Sequence, residues 1–306
     1  MEWFTLALFA STLWAVAILV DKFVLTHHIK DAFSYQIFLT VTLIPAVLVL
    51  FIFSSFRNSP LVYLTILVSG MILGVAFVLY NKALLVEEVS RVTPLFYLSP
   101  LFVLIFASLF LAESLSMKEY LGIGLMVFSA ISVSLRRSEH KSKSKSKSIS
   151  LSLSPALFMI LFLDLILAGK DVLAKFLFSY VDFWSYLFWF ILGEIVGRPL
   201  LLLLPGIRRK FVADMKSLSS RICLLCFINS SIVCMGFVLY FSAVSLTYVS
   251  LVSTMLSTQP FLVLLVATVL AVFYPGSLNE RIERKGLIIK LIAVVMIIIG
   301  SYLIIS

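Results

Sequence analysis

The sequence predicts an all-α polytopic membrane protein: ten transmembrane helices arranged as two inverted five-helix repeats. Three observations predict it. The composition is apolar with few charges, a basic low-complexity tract lies near mid-chain, and a polar pattern recurs in register on either side of that tract.

Of 306 residues, 62% are hydrophobic and 13% charged, with a mean hydropathy of +1.14. A soluble domain carries roughly 25% charged residues; this chain has too few to cover a wetted surface, so its exterior faces lipid. A hydrocarbon core about 30 Å thick takes roughly 20 apolar residues in a helix, and only helices or closed barrels satisfy their backbone groups there. The apolar runs are continuous rather than alternating, which selects helices.

The runs place spans at 3–25, 33–54, 60–84, 91–112, 118–135, 155–178, 183–204, 221–245, 249–273 and 286–305. The opening Met1-Glu2-Trp3 has no basic segment, and its apolar stretch continues to Lys22, so it reads as a retained first span rather than a cleaved signal. Most connections are short, which makes consecutive spans antiparallel neighbours. Residues 136–154 (RRSEHKSKSKSKSISLSLS) differ: this Ser/Lys tract cannot bury a core and reads as a flexible linker. It divides the chain into a first repeat over 1–135 and a second over 155–306.

The repeat is visible residue by residue. Phe77-Val78-Leu79-Tyr80 recurs 160 positions on as Phe237-Val238-Leu239-Tyr240. In the same register Ala83 matches Ala243, Val89-Ser90 matches Val249-Ser250, and Pro100 matches Pro260. Lys22-Phe23 corresponds to Lys175-Phe176, and Ser34-Tyr35 to Ser185-Tyr186. Matches of Leu, Val or Phe are cheap in membrane helices; Tyr, Ser, Lys and Pro in a fixed register are not. An odd number of spans per copy makes the second copy enter from the opposite side, the inverted arrangement of many secondary transporters, whose substrate site lies at midplane where the halves meet.

Most of the 24 Lys and Arg fall in connections on one side, including Lys30, Arg91, Arg136, Arg137, the Lys141–Lys147 series, Arg208-Arg209-Lys210 and Arg284-Lys285. The other side has little beyond Arg57, Lys118 and Lys175. By the positive-inside rule the basic loops, 136–154 among them, are cytoplasmic in the cell membrane and both termini lie outside. The net charge of +9 then reflects topology and anionic lipid, not nucleic-acid binding.

Ionisable residues within the bilayer are expensive and therefore functional candidates. The sixth span holds Asp164, Lys170 and Asp171. Asp164 and Asp171 share a helix face; Asp171 is four before Lys175, a spacing that allows an ion pair, while Lys170 points elsewhere. Asp164, deep in its span with no partner four residues away, is either paired to a lysine of another helix or able to exchange a proton, which would make protons the coupling ion. Glu194 and Arg198 read as a self-neutralising pair in the seventh span. Asp21, Lys22 and Lys82 stand near predicted helix ends, where they could snorkel to the headgroups. Both signs in one bundle would suit a zwitterion such as an amino acid.

Pro100 and Pro260 fall mid-span at matched positions, where each permits a kink and reads as a gating element. Gly70-xxx-Gly74 and Gly193-xxx-Gly197 permit close helix contact. Cys223, Cys226 and Cys234 share one apolar run and lack the partners that a metal or redox site needs. His27 and His28 form a solvated interfacial pair, and His140 lies in the linker. No cofactor is expected.

These residues resemble a known family. Leu13-Trp14, and the run Tyr80-x-x-Ala83, Ser90-x-x-x-Pro94-Leu95, Pro100-Leu101, Leu111-Ala112-Glu113-Ser114-Leu115 and Gly122, are similar to the EamA-type branch of the drug/metabolite transporter superfamily. The second half departs from the pattern, with an insertion around Tyr274–Asn279 and no clear counterpart of Glu113; Ser34-Tyr35-Gln36 replaces the usual entry to the second span. The resemblance implies a secondary carrier, an exporter or exchanger of a small metabolite, working by alternating access around a cavity lined by spans 1, 3, 4, 6, 8 and 9. Carried over by position, its cavity candidates are Trp14, Tyr80, Tyr97, Tyr240 and Gln259, which join Asp164, Lys170 and Asp171. It also implies cytoplasmic termini, opposite to the charge distribution. A different reading is a membrane-embedded enzyme or scaffold acting on lipid-linked substrates. The chain has no HExxH, GxSxG or nucleotide-binding glycine loop to support an enzyme, so it is read as not one.

Overall fold

The computed structural model describes residues 2–86, 98–135, 155–216, 218–259, 261–263, 265–266 and 284–305. The described residues are mainly helical and contain no strand. In chain order the helices are α1 (Glu2–His27), α2 (Ala32–Phe53), α3 (Pro60–Val86), α4 (Ser99–Leu111), α5 (Met117–Leu135), α6 (Pro155–Leu177), α7 (Phe183–Gly197), α8 (Pro205–Lys216), α9 (Ser220–Leu246), α10 (Val249–Met255) and α11 (Arg284–Ile305). A 3₁₀ turn, Arg198–Leu203, prolongs α7, and another, Leu256–Thr258, prolongs α10. Five of these helices are long and apolar enough to cross a membrane: α1, α2, α3, α7 with its 3₁₀ extension, and α9. Their outer faces carry exposed side chains such as Phe9, Leu48, Ile52, Leu61 and Leu203. At about 25 cal/mol per Å² such a belt belongs in lipid, not water.

Local chemistry sets the helix ends. Asp31 caps α2, accepting from the Ser34 amide at 3.0 Å, and Asp182 caps α7, accepting from the Ser185 amide at 3.0 Å. Ser116 and Glu119 form a reciprocal capping box at the start of α5. At the end of α4, Ala112 adopts φ 53°, a left-handed conformation that a residue with a Cβ rarely takes. The turn sends the Glu113 carboxylate into the N-terminus of α10, where it accepts from the amides of Val249 (2.8 Å) and Ser250 (3.3 Å) and from the Ser250 hydroxyl (2.6 Å). Glu113 thus closes α4 through its backbone amide, which donates to the Ala107 carbonyl at 3.3 Å, and caps a helix 136 residues away through its carboxylate.

The predicted glycine motifs pack against each other. A Cβ on Gly70 would collide with the Phe190 carbonyl oxygen, and one on Gly193 would collide with that of Leu67. Only the absence of side chains lets α3 and α7 approach this closely.

Three local expectations change. The basic connection after the seventh span is a helix, α8, with Arg208, Arg209 and Lys210 exposed and Phe211 and Met215 packed on the body. An amphipathic basic helix of this kind suits the membrane interface. Pro100 is not mid-helix: it stands in the first turn of α4, where its missing N–H costs no helical bond. The ninth span is not α-helical throughout, because α10 tightens into the 3₁₀ turn at Leu256–Thr258 before Pro260. Pro260 itself lies outside the described residues.

Two lysines matched in the sequence make similar hydrogen bonds. Lys22 Nζ donates to the Leu84 carbonyl, and Lys175 Nζ donates to the Val244 carbonyl at 2.9 Å. The two capping aspartates also have reciprocal contacts. The Ser55 hydroxyl, just past the C-terminus of α2, donates to Asp182 at 2.6 Å, while Lys210, past that of α7, reaches Asp31 at 3.4 Å. The caps therefore lie at opposite ends of α2. Partial burial works against ionisation of Asp182, but bonds from Ser55 and Ser185 outweigh it and hold its carboxyl below the usual carboxylate range.

Candidate functional site

A cavity of about 130 Å³ opens among α1, α2, α3, α4, α6, α7, α9 and the segment at Leu256–Gln259. That is room for one small solute or several waters. Its wall is mostly apolar, with polar and charged groups at a few points.

Each of those groups is placed by its helix. On α1, Trp14 and Asp21 are seven residues apart and so share a face, about 10 Å from each other along the axis. The Trp14 indole lies in the gap left by Gly236 of α9; its Nε1 donates to the Val233 carbonyl at 3.2 Å, and its ring packs on Phe237 (5.3 Å) and Tyr240 (5.4 Å). Asp21 Oδ1 accepts from the Tyr35 hydroxyl at 2.5 Å and from Asn229 Nδ2 at 2.7 Å. Asn81 donates to Gln36 at 2.9 Å, and Gln36 donates to the Gly74 carbonyl at 3.0 Å. Two ion pairs complete the wall: Lys170 with Asp171 at 2.5 Å, and Arg198 with Glu194, one turn apart. Lys170 Nζ also lies over the rings of Phe241 (4.8 Å) and Tyr240 (5.3 Å), where the ring faces help stabilise a buried cation.

Of the residues singled out in the sequence, Trp14, Tyr80, Pro100, Lys170, Asp171, Tyr240 and Gln259 line this cavity. Tyr97 and Pro260 lie outside the described residues. Asp164 is fully buried but lies away from the cavity, and neither carboxylate oxygen has a hydrogen-bond partner among the described residues. The expected pairing of Asp171 with Lys175 is replaced by Lys170–Asp171. Lys175 instead reaches the Val244 carbonyl, while the long stem of Lys170 folds its ammonium back to the neighbouring carboxylate.

Several cavity residues are not apparent from the sequence. Asp21 reads there as a helix-end charge, but α1 continues to His27 and carries it into the wall. Gln36, Asn81 and Asn229 are buried amides within apolar runs. Their polarity inside predicted spans is the signal that could have found them, because a buried amide in a membrane helix needs a partner from another helix. Glu194 and Arg198 do form the expected pair, and they also face the cavity.

A buried, charged cavity inside an apolar helical bundle suits a transporter, and the known proteins point the same way. The model of the EamA-like transporter family matches residues 1–135. That description is of a family of transporters, and the likeness covers the first 135 residues of the 306. A solved structure described only as the crystal structure of a protein superposes with a TM-score of 0.62 over 98% of this chain and 94% of its own, at 16% identity. That likeness speaks for the fold alone. A comparison with curated proteins gives no match.

Proposed function

We propose that this EamA-like chain is a secondary active carrier, an exporter or exchanger of a small metabolite such as an amino acid. In this reading ten transmembrane helices form two inverted five-helix repeats, 1–135 and 155–306, joined by the basic linker 136–154. The observation that carries it is the cavity itself: Asp21, Lys170, Asp171, Glu194 and Arg198 come together in an apolar wall drawn from both halves. Charges buried at such cost mark a substrate or ion path rather than a scaffold. The matched lysine bonds of α1 and α6, and the caps at opposite ends of α2, support inversion.

Alternating access follows from inversion, since the two halves exchange roles when the cavity opens to the other side. The carrier's cavity binds the solute through its charged wall, while Trp14, Phe77 and Tyr80 contact the solute's apolar part. Asp164, a carboxylate without a hydrogen-bond partner among the described residues, is proposed as the proton-coupling group.

Counterflow of labelled amino acids, sugars and nucleotides into vesicles reconstituted with the full chain tests the carrier. Saturable exchange of one class is expected, and no exchange of any would reject it. Asp164→Asn is expected to abolish the response of flux to an imposed pH gradient while leaving exchange at equal pH intact. An unchanged response would remove Asp164 from the coupling role.

A further inference from the structure

The charges of the cavity do not cancel. Among the described residues that line it, Asp21, Asp171 and Glu194 supply three carboxylates against the two cations Lys170 and Arg198. Both cations are already paired, Lys170 with Asp171 and Arg198 with Glu194. Asp21 takes its hydrogen bonds from neutral donors, the Tyr35 hydroxyl and the Asn229 amide, both on its Oδ1, and feels Arg198, which is ion-paired to Glu194, only through space. It is partly exposed, as a group that faces open space must be.

The wall around it also presents acceptors in want of donors. Asn229 Oδ1 and Glu194 Oε1 have no hydrogen-bond partner among the described residues, and both residues are only 2% exposed. The Nε and Nη1 donors of Arg198 are likewise unmet among the described residues, and can be met by water or by a hydroxyl or carbonyl of a solute. A solute carboxylate at Arg198 would have to sit beside Glu194, the counter-ion the arginine already has. One net negative charge in a wall of low polarity attracts an opposite charge far more strongly than water would allow.

Keeping the transport reading but replacing its amino-acid example, we propose that the cavity selects a monocationic amine with an apolar body over a zwitterion or an anion. The ammonium pairs with Asp21 and donates to the neighbouring Asn229 oxygen. The body extends along α1 past Ala17 and Ile18 toward Trp14, and the rings of Phe77 and Tyr80 complete its apolar surroundings.

Three probes matched in their ring but not in charge test this: phenethylamine (cation), phenylalanine (zwitterion) and 3-phenylpropionate (anion). Labelled phenethylamine is bound to the purified full chain at neutral pH, with the other two as competitors. Phenethylamine is expected to bind about tenfold tighter than phenylalanine or more, with phenylpropionate failing to compete. Asp21→Asn is expected to weaken phenethylamine by at least about tenfold, and Asp21→Glu to restore most of it. Phenylalanine binding as tightly as phenethylamine, no saturable phenethylamine binding, or an Asp21→Asn protein that melts like the parent and keeps its affinity would each overturn the proposal. The charge series on the unmodified chain decides the matter if the variant does not fold. Vesicle flux separates the two readings: phenylalanine flux without phenethylamine flux discards the cation site and keeps the carrier. Phenethylamine binding without flux keeps the site and discards the carrier.

Discussion

Gly236 has no side chain where the indole of Trp14 needs the space. A Cβ there would overlap Trp14 Nε1, closer than any side chain tolerates, so Gly236→Ala must push the indole off its bond to the Val233 carbonyl. The expected outcome is a loss of about 1–3 kcal/mol in thermal unfolding, with a change in indole emission as Trp14 moves. An alanine variant with unchanged melting and emission would show that the ring is not held by this contact. The same scale explains why the surroundings of Asp21 and Lys170 are hidden in the sequence. Spacing shows which residues share a helix face, but not that Asn229 of α9 and Tyr35 of α2 converge on one oxygen of Asp21. Nor does it show how far a lysine stem will fold.

Among the elements, α10 depends most on a distant residue. It is seven residues long, and its own N-cap residue, Tyr248, makes no side-chain capping bond; Glu113 supplies the acceptors instead. Glu113→Ala is expected to cost about 1–2 kcal/mol and to speed hydrogen exchange at the Val249 and Ser250 amides. Glu113→Gln, which keeps one acceptor oxygen, should fall between the parent and the alanine variant. Equal exchange in all three proteins would mean that α10 is held by packing alone. Helix α8 illustrates the limit of reading elements from hydropathy. Its apolar residues are too few for a span, and Arg208-Arg209-Lys210 reads as a plain connection; its helical period appears only once Phe211 and Met215 are seen packed on the body.

For the whole molecule, the question is orientation. The basic connections predict that both termini lie outside, whereas the resemblance implies that they lie inside. Fusing a topology reporter at Ser306 is expected to give an extracytoplasmic signal, and a cytoplasmic signal would reverse the assignment. Either result leaves the proposed cavity unchanged, because in the proposed arrangement the inverted halves present equivalent ends to both sides of the bilayer.

By itself the sequence determined that the chain is helical and lies in a membrane, since so apolar a composition has no other stable surface. It also carried the EamA pattern of residues 1–135, and it marked Trp14, Tyr80, Lys170, Asp171, Tyr240 and Gln259 by polarity or position. Only the tertiary structure decided which charges meet. Asp21 joins the cavity because α1 runs on to His27, and Asp164 stays outside it despite sharing a helix face with Asp171. The physical reason is one of range. Burial in lipid and helical periodicity act within a segment and are legible there, whereas ion pairs, shared hydrogen bonds and glycine contacts depend on residues brought together from segments far apart in the chain.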